Sequence, residues 1–180
     1  MNKLVPDNWN GRVHPDLPPE WNRLTERIIG CAMEVHTILG PGLLERLYED
    51  ALEYELRLAG FDVRRQHPID LRYKDLMLSG QRVDLLVNGL VVVEIKAVES
   101  VPEAHLAQLA SYLKSSGIPL GLLINFHALR LKDGLFRRLD PKSVVARLEK
   151  MQEINSFNEA RTPRVSSPIP VSPLSPSDHL

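Results

Sequence analysis

Arg82-Val83-Asp84-Leu85-Leu86-Val87-Asn88-Gly89-Leu90-Val91-Val92-Val93-Glu94-Ile95-Lys96-Ala97 is the stretch that decides the fold. Arg82 to Val87 and Leu90 to Ala97 are apolar and rich in β-branched residues, and both read as strands. Asn88-Gly89 between them is a hairpin signal, because both residues tolerate the positive φ of a tight turn. Val91-Val92-Val93 is too apolar for an exposed strand, so the second strand is expected at the centre of a sheet. Three charges stand inside these runs: Asp84, Glu94 and Lys96. Charges in such surroundings are costly unless paired or bound to a metal. Glu94 and Lys96 are two apart and share one face. Asp84 joins them only in one register. A two-residue loop opposes Asp84 to Val93 and turns it away from Glu94. A three-residue loop, or a bulge at Gly89, restores the shared face. A bulge or equivalent slip at Gly89 is therefore expected, and an unbulged two-residue turn would exclude a shared site.

Upstream, Leu24, Ile28, Cys31, Val35 and Ile38 have helical spacing, and Gly40-Pro41-Gly42 ends that helix. A second helix follows, with Leu44, Leu47, Ala51, Tyr54 and Leu58 as its apolar stripe and Gly60 as its stop. Phe61 to Gln66, then Ile69, Leu71 and Tyr73, alternate as strands do, with turn signals at Lys74-Asp75 and Ser79-Gly80. Downstream, Ser100-x-x-Glu103 reads as a capping box opening a helix through Leu106, Leu109, Ala110 and Leu113 to Gly117. Leu120 to Phe126 reads as a buried strand, Leu129 to Leu139 as a small hairpin around Asp133-Gly134, and Val144 to Ile154 as a short helix. The order implies an α/β domain, a mixed central sheet flanked by helices. The expected boundaries are an N-terminal extension over 1–21, the domain over 22–140, and a helix with a Ser-Pro-rich tail over 141–180. Beyond Arg161 large apolar residues nearly vanish, so the tail is expected to be disordered.

The 180 residues are 43% hydrophobic and 25% charged, ordinary for a globular protein, with a formal net charge of −1. No global basic field announces nucleic acid, although a bound cation and a local basic strip can do the same work. The single cysteine, Cys31, excludes an intramolecular disulfide and favours a reducing compartment. None of the six histidines has paired ligand spacing for zinc. Met1 to Asn10 lacks the features of a signal peptide, and no apolar run approaches the roughly 20 residues of a membrane helix. A cytoplasmic location without a membrane partner is expected.

Two carboxylates meeting at Asp84 and Glu94 offer the oxygen ligands that Mg²⁺ or Mn²⁺ prefers. Such a cation acidifies water and steadies charge on a phosphate, and Lys96 beside it orients water or stabilises developing negative charge. Spacing alone leaves a second interpretation open. Asp84 is then an edge-strand charge, and Glu94 with Lys96 an exposed pair, since acid-x-Lys is a common tripeptide.

Val83-Asp84 followed by Glu94-x-Lys96 on the next strand resembles the pattern of PD-(D/E)XK nucleases, with Val83 where the pattern has Pro. Gly42-Leu43-Leu44-Glu45-Arg46-Leu47-Tyr48 matches the signature of the GxxExxY protein family, which is placed in that superfamily by similarity. Ile29-Gly30, Glu34-Val35-His36, Leu39-Gly40-Pro41-Gly42, Val93-Glu94-Ile95-Lys96-Ala97-Val98 and Gly121-Leu122-Leu123-Ile124-Asn125-Phe126 are collinear with it. The resemblance covers roughly Leu24 to Leu139. It implies a restriction-endonuclease-like core and a nuclease cleaving DNA, less readily RNA, with Asp84, Glu94 and Glu45 holding Mg²⁺ or Mn²⁺.

Glu45 has a plain alternative as a first-turn glutamate favoured by the helix dipole. Tyr48 is a candidate to brace Glu45 or touch a phosphate, and equally a core residue. Gln108-x-x-x-Tyr112 resembles the motif that follows the acid-x-Lys strand in RecB-like nucleases, where it orients site and nucleic acid; the alternative is a polar helix rim. His105 is a weaker candidate for the same cleft. Arg64, Arg65, Arg72, Arg82, Arg130, Lys132, Arg137 and Arg138 are either a phosphate-contacting strip or ordinary solvated strand edges. The competing function is a binding module that holds nucleic acid or a partner protein without cutting. A homodimer is a further candidate, since cutting both strands of a duplex needs two sites.

Overall fold

Pro18 and Pro19 start the first helix, because a fixed φ and a missing N–H cost nothing in a first helical turn. In the computed structural model, which describes residues 17–161 and their side chains through residue 157, α1 spans Pro19–Leu39. It begins ahead of the expected boundary at residue 22, and Trp21 and Asn22 are buried. Residues 1–16 of the expected extension and the tail beyond Arg161 lie outside the described residues.

Helix α2 spans Glu45–Leu58 and buries a different face from the one its leucines suggest. Tyr48, Glu49, Leu52 and Leu56 point inward, whereas Leu44, Leu47, Tyr54 and Leu58 are exposed. Two stripes interleave on this helix. The inward one wins because it turns Tyr48 onto Phe126, whose rings stack at 4.5 Å, and aims Glu49 at Arg65. A charge partner thus settles what apolar spacing left degenerate.

The first two strands form one long hairpin, β1 (Val63–Tyr73) with β2 (Leu76–Val87). Lys74-Asp75 is its turn, as expected. Ser79-Gly80 is not a turn. The register shifts there, from Ile69 opposite Gln81 to Leu71 opposite Leu78, and Gly80 takes φ +109°. This is a β-bulge inside β2, for which glycine supplies the left-handed backbone. Strand β3 (Val91–Lys96) pairs antiparallel with β2 and parallel with β4 (Leu120–Asn125). A parallel neighbour requires a crossover, and α3 (Glu103–Ser116) supplies it. Pro102, not Ser100, caps α3, and no side chain caps its N-terminus. The capping box therefore does not form; Pro102 is extended and sets the chain direction instead. Gly117 in the left-handed region ends the helix.

Leu129 to Leu139 is not a hairpin. A 3-10 turn at Leu131–Gly134 leads into a single strand, β5 (Leu135–Leu139), antiparallel to β4. Arg130 and Asp133 tie the turn together at 2.7 Å, and a Cβ on Gly134 would collide with the Asn125 carbonyl. The chain hugs the end of β4 too closely to form a hairpin arm. The sheet order is β1-β2-β3-β4-β5, so β3 is central and buried from Val91 through Ile95. On one face α3 packs Leu106, Leu109, Tyr112 and Leu113 against Val83, Leu86, Val92 and Leu123. Residues 17–147 belong to one compact unit. Helix α4 (Pro141–Arg161) is longer than the Val144 to Ile154 helix expected, and from Leu148 onward its residues belong to a second unit. Among the described residues the architecture is the expected α/β fold, a mixed five-stranded sheet with four α-helices.

Candidate active site

The β2–β3 hairpin meets the condition set by its sequence. Asn88 and Gly89 take φ +51° and +60°, and Leu90 N–H donates to Val87 C=O at 3.0 Å. The ladder then pairs Val87 with Val91 and Leu85 with Val93, a three-residue loop. Asp84 is thereby opposite Glu94, on one face. Past Leu85 the two strands part. The Asp84 carboxylate takes over the ladder's role, its Oδ2 accepting the Ile95 N–H at 2.7 Å.

Lys96 lies where three carboxylates converge. Its Nζ is 3.3 Å from Glu94 Oε2, 3.7 Å from Glu45 Oε1 and 3.8 Å from Asp84 Oδ2. It also donates to the Ile95 carbonyl at 2.8 Å. Glu45 reaches this point because it is the first residue of α2, one turn before Glu49 on the inward face. The strand end that carries Lys96 is clamped. Phe126 N–H donates to the Lys96 carbonyl at 2.8 Å, while the Asn125 side chain accepts from Val98 N–H and donates to Val98 C=O.

Burial governs the electrostatics. Glu94 is 4% exposed, and burial, with the Asp84 charge adding to it, pushes its carboxyl up to about 7 against the pull of Lys96. Burial likewise raises Asp84, opposed by the Ile95 hydrogen bond and by Lys96, and raises Glu45, opposed by Lys96. Burial works against the Lys96 ammonium, but Glu94, Asp84 and Glu45 together outweigh it and hold its pKa above the usual lysine value. Acids pushed up beside a lysine held charged is the pattern of a tuned site.

Among the described residues no three acidic, histidine or cysteine side chains stand in finished metal-holding geometry. The donor set nevertheless fits a hard divalent cation in kind and charge. Three carboxylates meet at one positive centre, and Glu94 Oε1 is buried without a hydrogen-bond partner. Asp84, Glu94 and Glu45 are the candidates to hold such an ion, with Lys96 among them.

Other sequence candidates are placed differently. Tyr48 is 0% exposed; its hydroxyl donates to Gly40 C=O at 2.6 Å and accepts from Leu43 N–H. It anchors the loop ahead of Glu45 and is not placed to touch a phosphate. Tyr112, 5% exposed, accepts from Gln108 Nε2 at 2.7 Å and donates to Gln81 Oε1 at 2.9 Å. Gln108 thus engages Tyr112, and Tyr112 braces α3 against β2 close enough to feel the charges of Glu94, Lys96 and Asp84. His105 is partly buried and close enough to favour the Glu45 charge. The arginines do not form one strip. Arg65 is clamped by Glu49, Asp50 and Glu53, and Arg137 is buried against Asn22. Arg82 is exposed and donates to the Gln66 carbonyl at 3.1 Å.

Two neighbours of the site have no motif in the sequence. Glu49 is 7% exposed and accepts at one oxygen from Arg65 Nε at 2.9 Å and from Gln66 Nε2 at 2.6 Å. Gln66 sits in β1 at φ +47°, a conformation that costs a non-glycine residue about 1–3 kcal/mol. An acid on the inward face of α2 was the one available signal for Glu49. Nothing local marks Gln66, whose place follows from the β1–β2 register.

Comparison with curated proteins and with solved structures found no match. A family model does match, over residues 22–139, the span from α1 to the end of β5. The chain belongs to the PD-(D/E)XK nuclease superfamily.

Proposed function

We propose that this protein is a divalent-metal-dependent nuclease that hydrolyses phosphodiester bonds of DNA, and that it is a GxxExxY-type member of its superfamily. The observation that carries this reading is the convergence of Asp84, Glu94 and Glu45 on Lys96, with one Glu94 oxygen buried and unpartnered. Nuclease ancestry supplies the reaction class. Asp84 and Glu94 hold Mg²⁺ or Mn²⁺ from the strands, and Glu45 holds it from α2. When bound, the cation supplies positive charge at the scissile phosphate and acidifies the attacking water. Lys96 keeps its proton and so orients that water or neutralises charge growing on the phosphate. Gln108 acts at a distance, holding α3 to β2 through Tyr112 and Gln81. Arg82, exposed and two residues from Asp84 on β2, is the arginine assigned to meet a DNA phosphate. Among the described residues no helix is long and apolar enough to cross a membrane. The lone Cys31 suits work in the cytoplasm.

The test is incubation of the protein with labelled single- and double-stranded DNA and with RNA, with Mg²⁺ or Mn²⁺ and with EDTA. Cation-dependent cleavage of DNA is expected, falling by about 100-fold or more in Glu94→Ala and Lys96→Ala. Cleavage that persists equally in both variants sinks the site. Cleavage of RNA alone contradicts the substrate. DNA binding without cleavage under any condition replaces the enzyme by a binding module on the same fold.

A further inference from the structure

We infer that Gln66 is a positioning residue for Asp84, a neutral bridge that fixes this carboxylate of the metal site against a buried anchor, Glu49. The inference rests on the metal-dependent reading above and adds a residue to it.

Three features meet at Gln66. Its backbone is left-handed at φ +47° in the middle of β1, and the flanking pairs, Arg65 with Leu85 and His67 with Val83, put it opposite Asp84. Its side-chain amide donates to Glu49 Oε1 at 2.6 Å and approaches Asp84 Oδ1 at 3.5 Å, the long end of a hydrogen bond. Its carbonyl, turned by the unusual φ, is taken up by Arg82 Nη1 at 3.1 Å. A left-handed glutamine persists in a strand only where its surroundings over-determine it, and such residues concentrate at functional sites.

The anchor does not depend on the bridge. Glu49 is buried and independently held by Arg65, which is in turn clamped by Asp50 and Glu53. Asp84 is then held at both oxygens, Oδ2 by the Ile95 amide and Oδ1 from the Gln66 side. The chemistry explains the residue type. Glu49 and Asp84 are both carboxylates, so the group between them must donate twice. A lysine or arginine there would compete with Lys96 and with a divalent cation for Asp84. An amide has two N–H donors and no charge, so it orients the ligand without neutralising it.

Two variants separate this role from a purely structural one. Gln66→Gly removes the amide and relieves the backbone, since glycine accepts φ +47° freely. Gln66→Asn keeps an amide and tolerates the left-handed region but is one methylene too short to span both carboxylates. Mn²⁺ binding to the full chain is read by electron paramagnetic resonance of the free ion, beside unfolding in EDTA and DNA cleavage kinetics. Both variants are expected to bind Mn²⁺ about 10-fold or more weakly, with kcat reduced and KM for DNA little changed. Gln66→Gly is expected to unfold no lower than the wild type. Mn²⁺ affinities of both variants within about twofold of wild type, less than the loss of an orienting partner produces, overturn the role of Gln66 and leave the nuclease reading standing. Absence of Mn²⁺ binding by the wild type overturns both.

Discussion

Lys96→Met is expected to unfold about 10 °C below wild type in EDTA at neutral pH, and to recover much of that loss on addition of Mg²⁺. The ammonium is the shared counter-charge of Asp84, Glu94 and Glu45. Methionine keeps the length of the side chain and removes the charge. Breaking a buried ion pair costs about 3–5 kcal/mol because a charge is left without compensation. The low end applies, because Glu94, already pushed up to about 7, can take up a proton instead. About 3 kcal/mol in a domain of this size moves the midpoint by roughly 10 °C. A divalent cation that binds the folded state restores the missing positive charge and stabilises by mass action. Mg²⁺ should therefore raise the midpoint of Lys96→Met more than that of the wild type. Under the proposed function, cleavage is expected to stay low even in the rescued protein, because the cation does not replace a lysine proposed to act on water or phosphate. Identical melting of Lys96→Met and wild type in EDTA would contradict the convergent geometry.

Glu94→Gln should stabilise the metal-free protein while abolishing cleavage. Burial raises the Glu94 carboxyl to about 7, above its value in the unfolded chain. A group raised on folding favours the folded state at low pH, and that contribution is lost as pH rises through the folded pKa. The wild type should therefore lose stability between about pH 5 and pH 8, by roughly 2–3 kcal/mol for a shift of this size. Glutamine is neutral throughout and escapes the loss. Thermal unfolding in EDTA at pH 5 and pH 8 measures this. The advantage of the variant is expected to grow with pH, and Mg²⁺ is expected to reverse it at pH 8 by binding only the wild type. An advantage that shrinks as pH rises would contradict the assigned burial of Glu94. Stability given up for a charged site is what a functional carboxylate in a central strand implies.

The centre of the fold was legible because its signals are local. Three valines before Glu94-Ile95-Lys96 named a buried central strand, and β3 is the middle strand of five. Asn88-Gly89 named a turn, and the demand that two buried charges share a face called for a Gly89 bulge or an equivalent slip, which the three-residue loop supplies. Glu45 and Lys96 meet because a helix start and a strand end are brought together, which the resemblance implied and spacing did not. What failed depended on tertiary partners. The face of α2 was misjudged because Leu44, Leu47, Tyr54 and Leu58 make a sound helical stripe, and only Arg65 and Phe126 favour the other. Ser79-Gly80 has the composition of a turn and forms a bulge, since β1 continues opposite it. The sequence also did not show that the Tyr48 hydroxyl is engaged by Gly40 and the Tyr112 hydroxyl by Gln108 and Gln81. Gln66 was invisible for the same reason: its importance lies in what stands across the strand.

The most direct measurement is a Mn²⁺ titration of the full chain, wild type beside Glu94→Ala, at pH 8 and followed by the resonance of the free ion. The convergence of Asp84, Glu94 and Glu45 predicts saturable binding by the wild type with a Kd below about 1 mM, weakened by roughly 10-fold or more in the variant. No binding by the wild type, or equal binding by both, would contradict a metal site at Glu94.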